Sequence, residues 1–185
     1  AFAMVRYRFK GRRLLDSLIV ASLMFPVFST IIPVFQMLSA IRVVDNPIGV
    51  ILPQTAGNLA FAIVILMGYI RGLPIDMEES AFLEGCNVFQ VFYRIIMPVC
   101  RPAFATVAIF AFLWSYNDLF TQLFFLRSPQ TWAITRFLNE VSSQFGTDYG
   151  MMCAVVTLIV VPVLIVYIFL QKNIVKGLTA GAIKG

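Results

Sequence analysis

Hydrophobic residues in this chain form four long runs separated by short polar segments. Charged residues are absent from residues 17–41, 46–70 and 149–171, and residues 102–126 contain one, Asp118. A helix needs about 20 apolar residues to cross the hydrocarbon core of a bilayer, so each run is long enough. Each run must be helical there, because lipid offers no partner to backbone polar groups. The pattern predicts an all-α, polytopic transmembrane helix bundle with four spans.

Four prolines lie in these predicted spans beyond their first turn: Pro26, Pro33, Pro53 and Pro162. In a soluble helix each would break the hydrogen-bonding ladder. Membrane helices accept proline as a kink where neighbouring groups satisfy the freed carbonyls. The prolines are therefore compatible with all four predicted spans.

Composition supports a membrane protein. Of the 185 residues, 60% are hydrophobic and 12% are charged, with 18 Phe and no His. A water-soluble core of this size cannot bury so much apolar surface. Membrane lipid is therefore the first expected partner.

The basic residues predict the orientation of the bundle. If the N-terminal basic cluster, residues 6–13, faces the cytoplasm, then only Arg42, Arg127 and Arg136 of the 14 Lys and Arg residues lie outside. The positive-inside rule favours this arrangement. It places residues 74–98 and the C-terminus in the cytoplasm. Because the net charge of +5 is spread along membrane edges, we expect no nucleic-acid partner.

The polar segment that follows the second span has the signals of a short helix. Pro74 ends the span, and Asp76 stands at the expected N-cap position with Glu79 three residues later. The acidic first turn suits the helix dipole. The helix should run to about Glu84, and Gly85 can take the left-handed conformation that ends it.

A second short helix should follow directly. Asn87 and Gln90 repeat the cap spacing. The apolar residues of this second helix are Val88, Phe89, Phe92, Ile95 and Ile96. The result is a helix–glycine–helix elbow, residues 74–98. These residues alone fit two interpretations equally well. The elbow is either a lever that another protein moves or an amphipathic connector on the membrane surface.

The spacing within the elbow resembles the cytoplasmic loop of the permeases of ABC importers. That loop has Glu-Ala-Ala, three residues, Gly, nine residues, Ile, one residue and Leu-Pro. The matching positions here are Glu79, Ser80, Ala81, Gly85, Ile95 and Pro98. Ser80 replaces the first Ala, and Met97 replaces the Leu.

The resemblance implies an ABC importer type I permease fold in which the elbow is the coupling loop. It would dock in a cleft of an ATP-binding subunit dimer. The other implied partners are a second permease subunit, giving a heterodimer, and an extracytoplasmic solute-binding protein. Small Ser80, Ala81 and Gly85 would let the ATPase approach closely. Apolar bulk would come from Phe82, Phe89 and Phe92.

Two further segments narrow the resemblance to the maltose-type carbohydrate group. The Trp-Ser-Tyr-Asn-Asp-Leu-Phe sequence of residues 114–120 is similar to an element of sugar-importing permeases, and residues 171–185 are similar to their Gly-rich tail. The resemblance implies a sugar or polyol permease of the bacterial inner membrane. The alternatives are an ABC permease for a non-sugar solute and a membrane scaffold that transports nothing.

Asp118 is the one charged residue inside a predicted span. A carboxylate in mid-bilayer costs roughly 2.5–3.5 kcal/mol, so Asp118 should face the bundle interior near Asn117 and Gln122. One interpretation makes Asn117 and Asp118 part of the substrate pathway, because amides and carboxylates bind sugar hydroxyls. The other places Asp118 near the outer interface, where it is solvated or caps a helix break.

Enzyme chemistry has little support in these residues. There is no His, and Cys86, Cys100 and Cys153 are widely spaced without a Cys-x-x-Cys pair. A Gly-rich phosphate-binding loop is also absent from the sequence. We therefore expect no catalytic residue, cofactor or metal, and ATP hydrolysis in a separate subunit.

The N-terminal residues do not have the layout of a secretory signal. A short apolar run, residues 1–5, precedes the basic cluster rather than following it. This order favours the cytoplasmic end of an earlier helix, and hence further helices before Ala1. The alternative is a complete protein with a basic N-terminal anchor.

Overall fold

The computed structural model describes residues 1–137, 141–143 and 146–182, and helices make up most of them. The α-helices are α1 Phe2–Arg6, α2 Arg12–Ser22, α3 Ile31–Ala40, α4 Pro47–Arg71, α5 Asp76–Leu83, α6 Val88–Val91, α7 Met97–Val99, α8 Arg101–Asn117, α9 Leu119–Phe125 and α10 Tyr149–Ala182. The all-α fold class is confirmed.

Shorter elements connect these helices. The 3-10 turns are Val27–Thr30, Pro129–Thr131 and Ile134–Arg136, and Phe92–Ile96 is a π-helical turn. Two strands of two residues each, β1 Ser142–Ser143 and β2 Gly146–Thr147, pair antiparallel. This ladder is too short to change the fold class.

Two helices of the described residues are long and apolar enough to cross a membrane by themselves: α4 and the Tyr149–Phe169 part of α10. Pro53 lies inside the first and Pro162 inside the second, and both helices continue past the proline. A third candidate is the pair Val88–Val99 and Arg101–Asn117, which is bent by 67° at its break. The four-span topology itself stays a prediction.

The first predicted span is not one continuous helix. α2 ends at Ser22, and Pro26 has an extended backbone (φ −71°, ψ 116°) before the 3-10 turn that leads into α3. Pro26 has no N–H to continue the helical ladder, and its ring disfavours helix in the residue before it. Pro33 falls in the first turn of α3, where a missing N–H breaks no intrahelical bond.

The third predicted span is interrupted as well. α8 ends at Asn117 and α9 begins at Leu119, with Asp118 between them at φ −80° and ψ 75°. The Asp118 side chain accepts a hydrogen bond from the backbone N–H of Thr121. An Asp in this position favours the start of a new helix over continuation of the old one.

The chain divides into two compact units, each with its own core. The first comprises Ala1–Phe25, Leu59–Phe110 and residues 170–182. Its core residues are Ile70, Ala81, Val91, Ile96 and Cys100. The second comprises Pro26–Asn58 and Ala111–Phe169. Its core residues are Ile31, Leu38, Val50, Phe125 and Leu126.

Asp45, in the loop between α3 and α4, organises one end of the second unit. Its Oδ1 accepts hydrogen bonds from the backbone N–H of Arg127 (2.8 Å), the backbone N–H of Ser128 (2.8 Å) and the Thr131 hydroxyl (2.7 Å), and its Oδ2 accepts one from the Ser128 hydroxyl. Hydrogen bonds from the Ser128 hydroxyl, the Ser128 N–H and Thr131 hold the pKa of Asp45 well below its ordinary value. This carboxylate therefore joins two loops that are 82 or more residues apart.

Candidate functional site

The first arm of the elbow is α5, and its acidic first turn matches the helix dipole. Asp76, Glu78 and Glu79 all lie in that turn. The predicted Asp76 cap is wrong, because the N-cap residue is Ile75 and no side chain caps this helix. Instead the Ile75 carbonyl accepts from the N–H groups of both Glu78 (2.8 Å) and Glu79 (3.1 Å).

Gly85 ends this arm in the way that the sequence predicts. Its φ is +86°, in the left-handed region, and Glu84 is the C-cap residue. The Gly85 N–H donates to the Phe82 carbonyl and the Cys86 N–H donates to the Ala81 carbonyl, both at 3.0 Å. This pair of bonds is a Schellman motif, which closes the helix and turns the chain sharply.

The second arm begins with a capping box. Asn87 Oδ1 accepts from the Gln90 N–H (2.9 Å), and Gln90 Oε1 accepts from the Asn87 N–H (2.8 Å). Both donors would otherwise be unsatisfied at a helix start. The arm continues from α6 through the π-helical turn to α7. Defined hydrogen bonds thus fix both sides of the elbow's glycine.

The two faces of α5 differ in exposure. Ala81 is 5% exposed and packs in the core of the first unit, whereas Leu83 is 90% exposed. Glu79, Ser80 and Gly85 are exposed on the elbow, as is Pro98, and Ile95 is half-buried. The small side chain at Ala81 therefore allows packing within this chain. The sequence pattern did not single out Leu83.

The three phenylalanines that we expected to offer apolar bulk are placed differently from one another. Phe82 and Phe89 are exposed. Phe92 is half-buried and its ring lies 5.4 Å, centre to centre, from that of Phe2 in α1. Phe82, Leu83 and Phe89 thus belong to the exposed apolar surface of the elbow, together with Ile75, Met77, Val88 and Tyr93. Phe92 instead anchors the second arm to α1.

An ion pair connects α1 to the elbow. Arg6 Nε donates to Glu78 Oε1 at 2.6 Å, and Arg6 Nη2 donates to the Leu73 carbonyl at 3.0 Å. The two side chains are 13% and 6% exposed. No pattern in the sequence indicates this pair, because its members are 72 residues apart. Glu78 was visible only as one of three acids in a helix start.

A second polar site surrounds Asp118. Its Oδ2 accepts from Gln54 Nε2 at 3.0 Å, and Gln54 Oε1 accepts from the Ser115 hydroxyl at 2.6 Å. Its Oδ1 caps α9 through the Thr121 N–H. Asp118 therefore caps a helix break, and its place at the outer interface or along a substrate pathway stays a prediction. Gln54 was missed; its one signal was an amide, like that of Asn58, inside an uncharged run.

The side chains of Asn117 and Gln122, which we expected near Asp118, form hydrogen bonds with other groups. Asn117 is exposed, and its Nδ2 donates back to the Leu113 carbonyl of its own helix at 2.7 Å. Gln122 is buried, and its Nε2 donates to the Ser115 carbonyl at 3.3 Å while its Oε1 accepts from the Thr135 hydroxyl. Hydrogen-bonding groups of this kind can bind hydroxylated solutes, and each of these two amide side chains also forms hydrogen bonds within the chain.

Comparison with known proteins decides the family. Residues 1–180 match the family described as binding-protein-dependent transport system inner membrane component. The chain belongs to this family. As an inner membrane component, it has the membrane location that its apolar helices indicate.

Several characterised members of the family resemble the whole chain. The arabinooligosaccharides transport system permease protein of Bacillus subtilis is 32% identical over 184 residues, which cover 100% of this chain and 65% of that protein. The trehalose transport system permease protein of Mycobacterium tuberculosis is 34% identical over 189 residues, covering 100% and 68%. The chain thus spans about two thirds of the length of such relatives. These relatives are permease subunits of transport systems rather than enzymes.

The fold has a solved counterpart. A chain in the crystal structure of a bacterial ABC transporter involved in the import of the acidic polysaccharide alginate superimposes with a TM-score of 0.77 at 22% identity. The match covers 92% of this chain and 65% of that one. The chain therefore has the helical fold of an importer's membrane subunit.

Proposed function

We propose that this chain is the membrane-spanning permease subunit of an ATP-driven importer that moves a sugar or related polyol across the inner membrane. The observation that carries the proposal is the construction of the elbow. One face of it is seated in the chain's own core through Ala81 and Val91, and the other presents Leu83 to a partner. Family membership supplies the class of process.

The elbow is built to move as one body. A Schellman motif closes α5, and a capping box opens α6 two residues later. Because the glycine between them is held by bonds on both sides, a push on α5 turns the second arm with it. The second arm leads through Cys100 into α8, whose Ala103 is fully buried. The push therefore reaches a long helix.

The partner on the exposed face would be a separate ATP-hydrolysing subunit, present as a dimer. The exposed Glu79, Ser80 and Gly85 lie beside Phe82 and Leu83, so a groove of the ATPase would meet a rim of polar groups around apolar bulk. Apolar anchors at the centre of an interface with polar groups around them are typical of protein contacts. We place Ile95 and Pro98 in the lever behind this surface.

The remaining partners follow from the two sides of the membrane. The distribution of Lys and Arg supports an elbow and a C-terminus in the cytoplasm. The loops around Asp45 and Ser128 would then face outward, where a solute-binding protein delivers its cargo. A second permease subunit would complete the pathway.

Sugar is the solute class that the relatives favour. Their names refer to arabinooligosaccharides, diacetylchitobiose and trehalose. Asn117, which is exposed, and Asp118 at the helix break are the polar groups that we place along the pathway. Another solute class remains the alternative within the family, and a scaffold without transport is the alternative outside it.

Uptake by the complete protein, reconstituted with its ATPase, second permease and binding protein, tests the proposal. Gly85→Asp should abolish ATP-driven sugar uptake while leaving membrane insertion intact, because it places a charge on the docking surface. Gly11→Asp is the matched control: Gly11 also has a left-handed backbone (φ +87°), and both glycines have open space where a Cβ would be. Gly11→Asp should transport normally. Wild-type uptake by Gly85→Asp would overturn the proposal.

A further inference from the structure

We infer that Arg6 is a coupling residue: its side chain clasps the start of the elbow and makes α1 move with α5 during the transport cycle. The inference rests on the proposed function, since it assigns the route by which movement of the elbow enters the rest of the first unit. The Arg6 clasp consists of the bonds from Arg6 to Glu78 and to Leu73. Its acidic member, Glu78, is buried like Ala81 of the same helix, whereas Leu83 is exposed.

The clasp holds the turn between α4 and α5 from both sides. Leu73 precedes α5, and Glu78 is its third residue. A single guanidinium binds both, at 3.0 Å and 2.6 Å. Because the guanidinium is planar and its donors point in fixed directions, two such bonds define an orientation as well as a distance. α5 therefore cannot rotate on α4 without moving Arg6.

Packing alone leaves this orientation less well defined. Around the clasp, α1 contacts the elbow through apolar residues, among them Phe2 and Val5. Apolar surfaces slide over one another at little cost, since the hydrophobic effect has no direction. The ion pair adds directed bonds between α1 and the first turn of α5.

Stability is a weak reason for this arrangement. Glu78 is 6% exposed, and a buried charge loses its hydration. Replacing a buried ion pair by apolar residues of similar size is often neutral or stabilising, whereas removal of one partner alone is strongly destabilising. If the pair served folding only, an apolar pair would serve as well. What the charges contribute is position.

This difference gives the experiment. In the complete reconstituted importer, ATP hydrolysis and sugar uptake are measured for wild type, Arg6→Met, Glu78→Leu and the double variant Arg6→Met/Glu78→Leu. Arg8→Ala is the control, because Arg8 is exposed and two residues away. The thermal stability of each variant is measured in the same preparation.

The double variant should regain wild-type thermal stability, because apolar packing can take the place of the buried ion pair. It should still import at least about tenfold less sugar per ATP hydrolysed, because apolar packing does not restore the directed bonds. The sugar imported per ATP hydrolysed by Arg6→Lys should lie between the values for the double variant and for wild type. Wild-type uptake per ATP by the double variant would overturn the clasp. Loss of ATP-driven uptake in wild type and Arg8→Ala would instead overturn the proposed function, so the two failures are distinguishable.

Discussion

Gln54 binds Asp118 across 64 residues of sequence, with Nε2 donating to Oδ2 at 3.0 Å. The other end of the same amide accepts from the Ser115 hydroxyl at 2.6 Å. One side chain of α4 therefore touches both α8 and the break that follows it. The carboxylate is satisfied on both oxygens, since Thr121 supplies the bond to Oδ1. Asp118 is stabilised by its neighbours rather than left as an isolated charge in an apolar run.

Gln54→Leu should lower the free energy of unfolding by about 1–3 kcal/mol, because it leaves a partly buried oxygen of Asp118 without a donor. Asn58→Leu is the control from the next turn of α4. Asn58 is also half-buried, but its side-chain Nδ2 donates to the Gln54 carbonyl of its own helix. Denaturant unfolding of both variants in mixed micelles provides the measurement. Equal losses of unfolding free energy for the two variants would show that the Gln54–Asp118 bond contributes no more to stability than the Asn58 bond.

Ala81 and Leu83 should respond in opposite ways to substitution. Ala81→Leu forces extra methylene groups into a packed core and should cost about 1–3 kcal/mol in stability. Leu83→Ala should change stability by less than about 0.5 kcal/mol, since the side chain is 90% exposed. The same Leu83→Ala variant should bind the ATPase subunit more weakly in a pull-down titration. ATPase binding by Leu83→Ala as tight as that of wild type would place the docking surface elsewhere.

The contribution of the Asp45 carboxylate to stability should depend on pH in the acid range. Its folded pKa is lowered by hydrogen bonds from Ser128 and Thr131, so its contribution to stability is fully present above the unfolded value of about 3.9. It is lost as pH falls below that value toward the lower folded pKa. Asp45→Asn tolerates the left-handed backbone (φ 63°) but removes the charge. The difference in thermal stability between wild type and Asp45→Asn should be constant from pH 7 to about 4 and should shrink below. A difference that grows on acidification would contradict this.

Two glycines of α4 should behave differently when alanine replaces them. A Cβ at Gly49 would run into the backbone carbonyl of Val43, whereas a Cβ at Gly57 meets nothing within 4 Å. Gly57→Ala should therefore stabilise the helix by about 0.5–1 kcal/mol. Gly49→Ala should destabilise by about 1–3 kcal/mol, as overpacking against rigid backbone does. Thermal unfolding of the two variants compares them directly.

The parts of the structure that local sequence determines were predictable. The left-handed Gly85 and the Asn87–Gln90 capping box depend on residues within five positions of one another, and both were visible in the spacing. The helix break at Pro26 was not predicted, because the length of the apolar run favoured one continuous span with a kink at the proline. Asp76 failed as a cap because the helix begins one residue earlier than its spacing suggests.

The contacts that give the site its geometry were not predictable in this way. Arg6 meets Glu78, and Gln54 meets Asp118, only after helices distant in sequence have packed. Neither residue type nor spacing marks such a partner in a single sequence. Ala81 also shows the limit of motif reasoning, since the small residue that suggests a docking surface lies in the chain's own core.

The sidedness and protection of position 83 test the coupling elbow most directly. With Cys86, Cys100 and Cys153 replaced by Ala and Leu83→Cys introduced, a membrane-impermeant maleimide should label the protein in inside-out vesicles and not in intact cells. Adding the ATPase subunit should then block the labelling, because position 83 is 90% exposed without it. Labelling from the outside of intact cells, or labelling that the bound ATPase leaves unchanged, would contradict an elbow that carries force from the ATPase into the membrane helices.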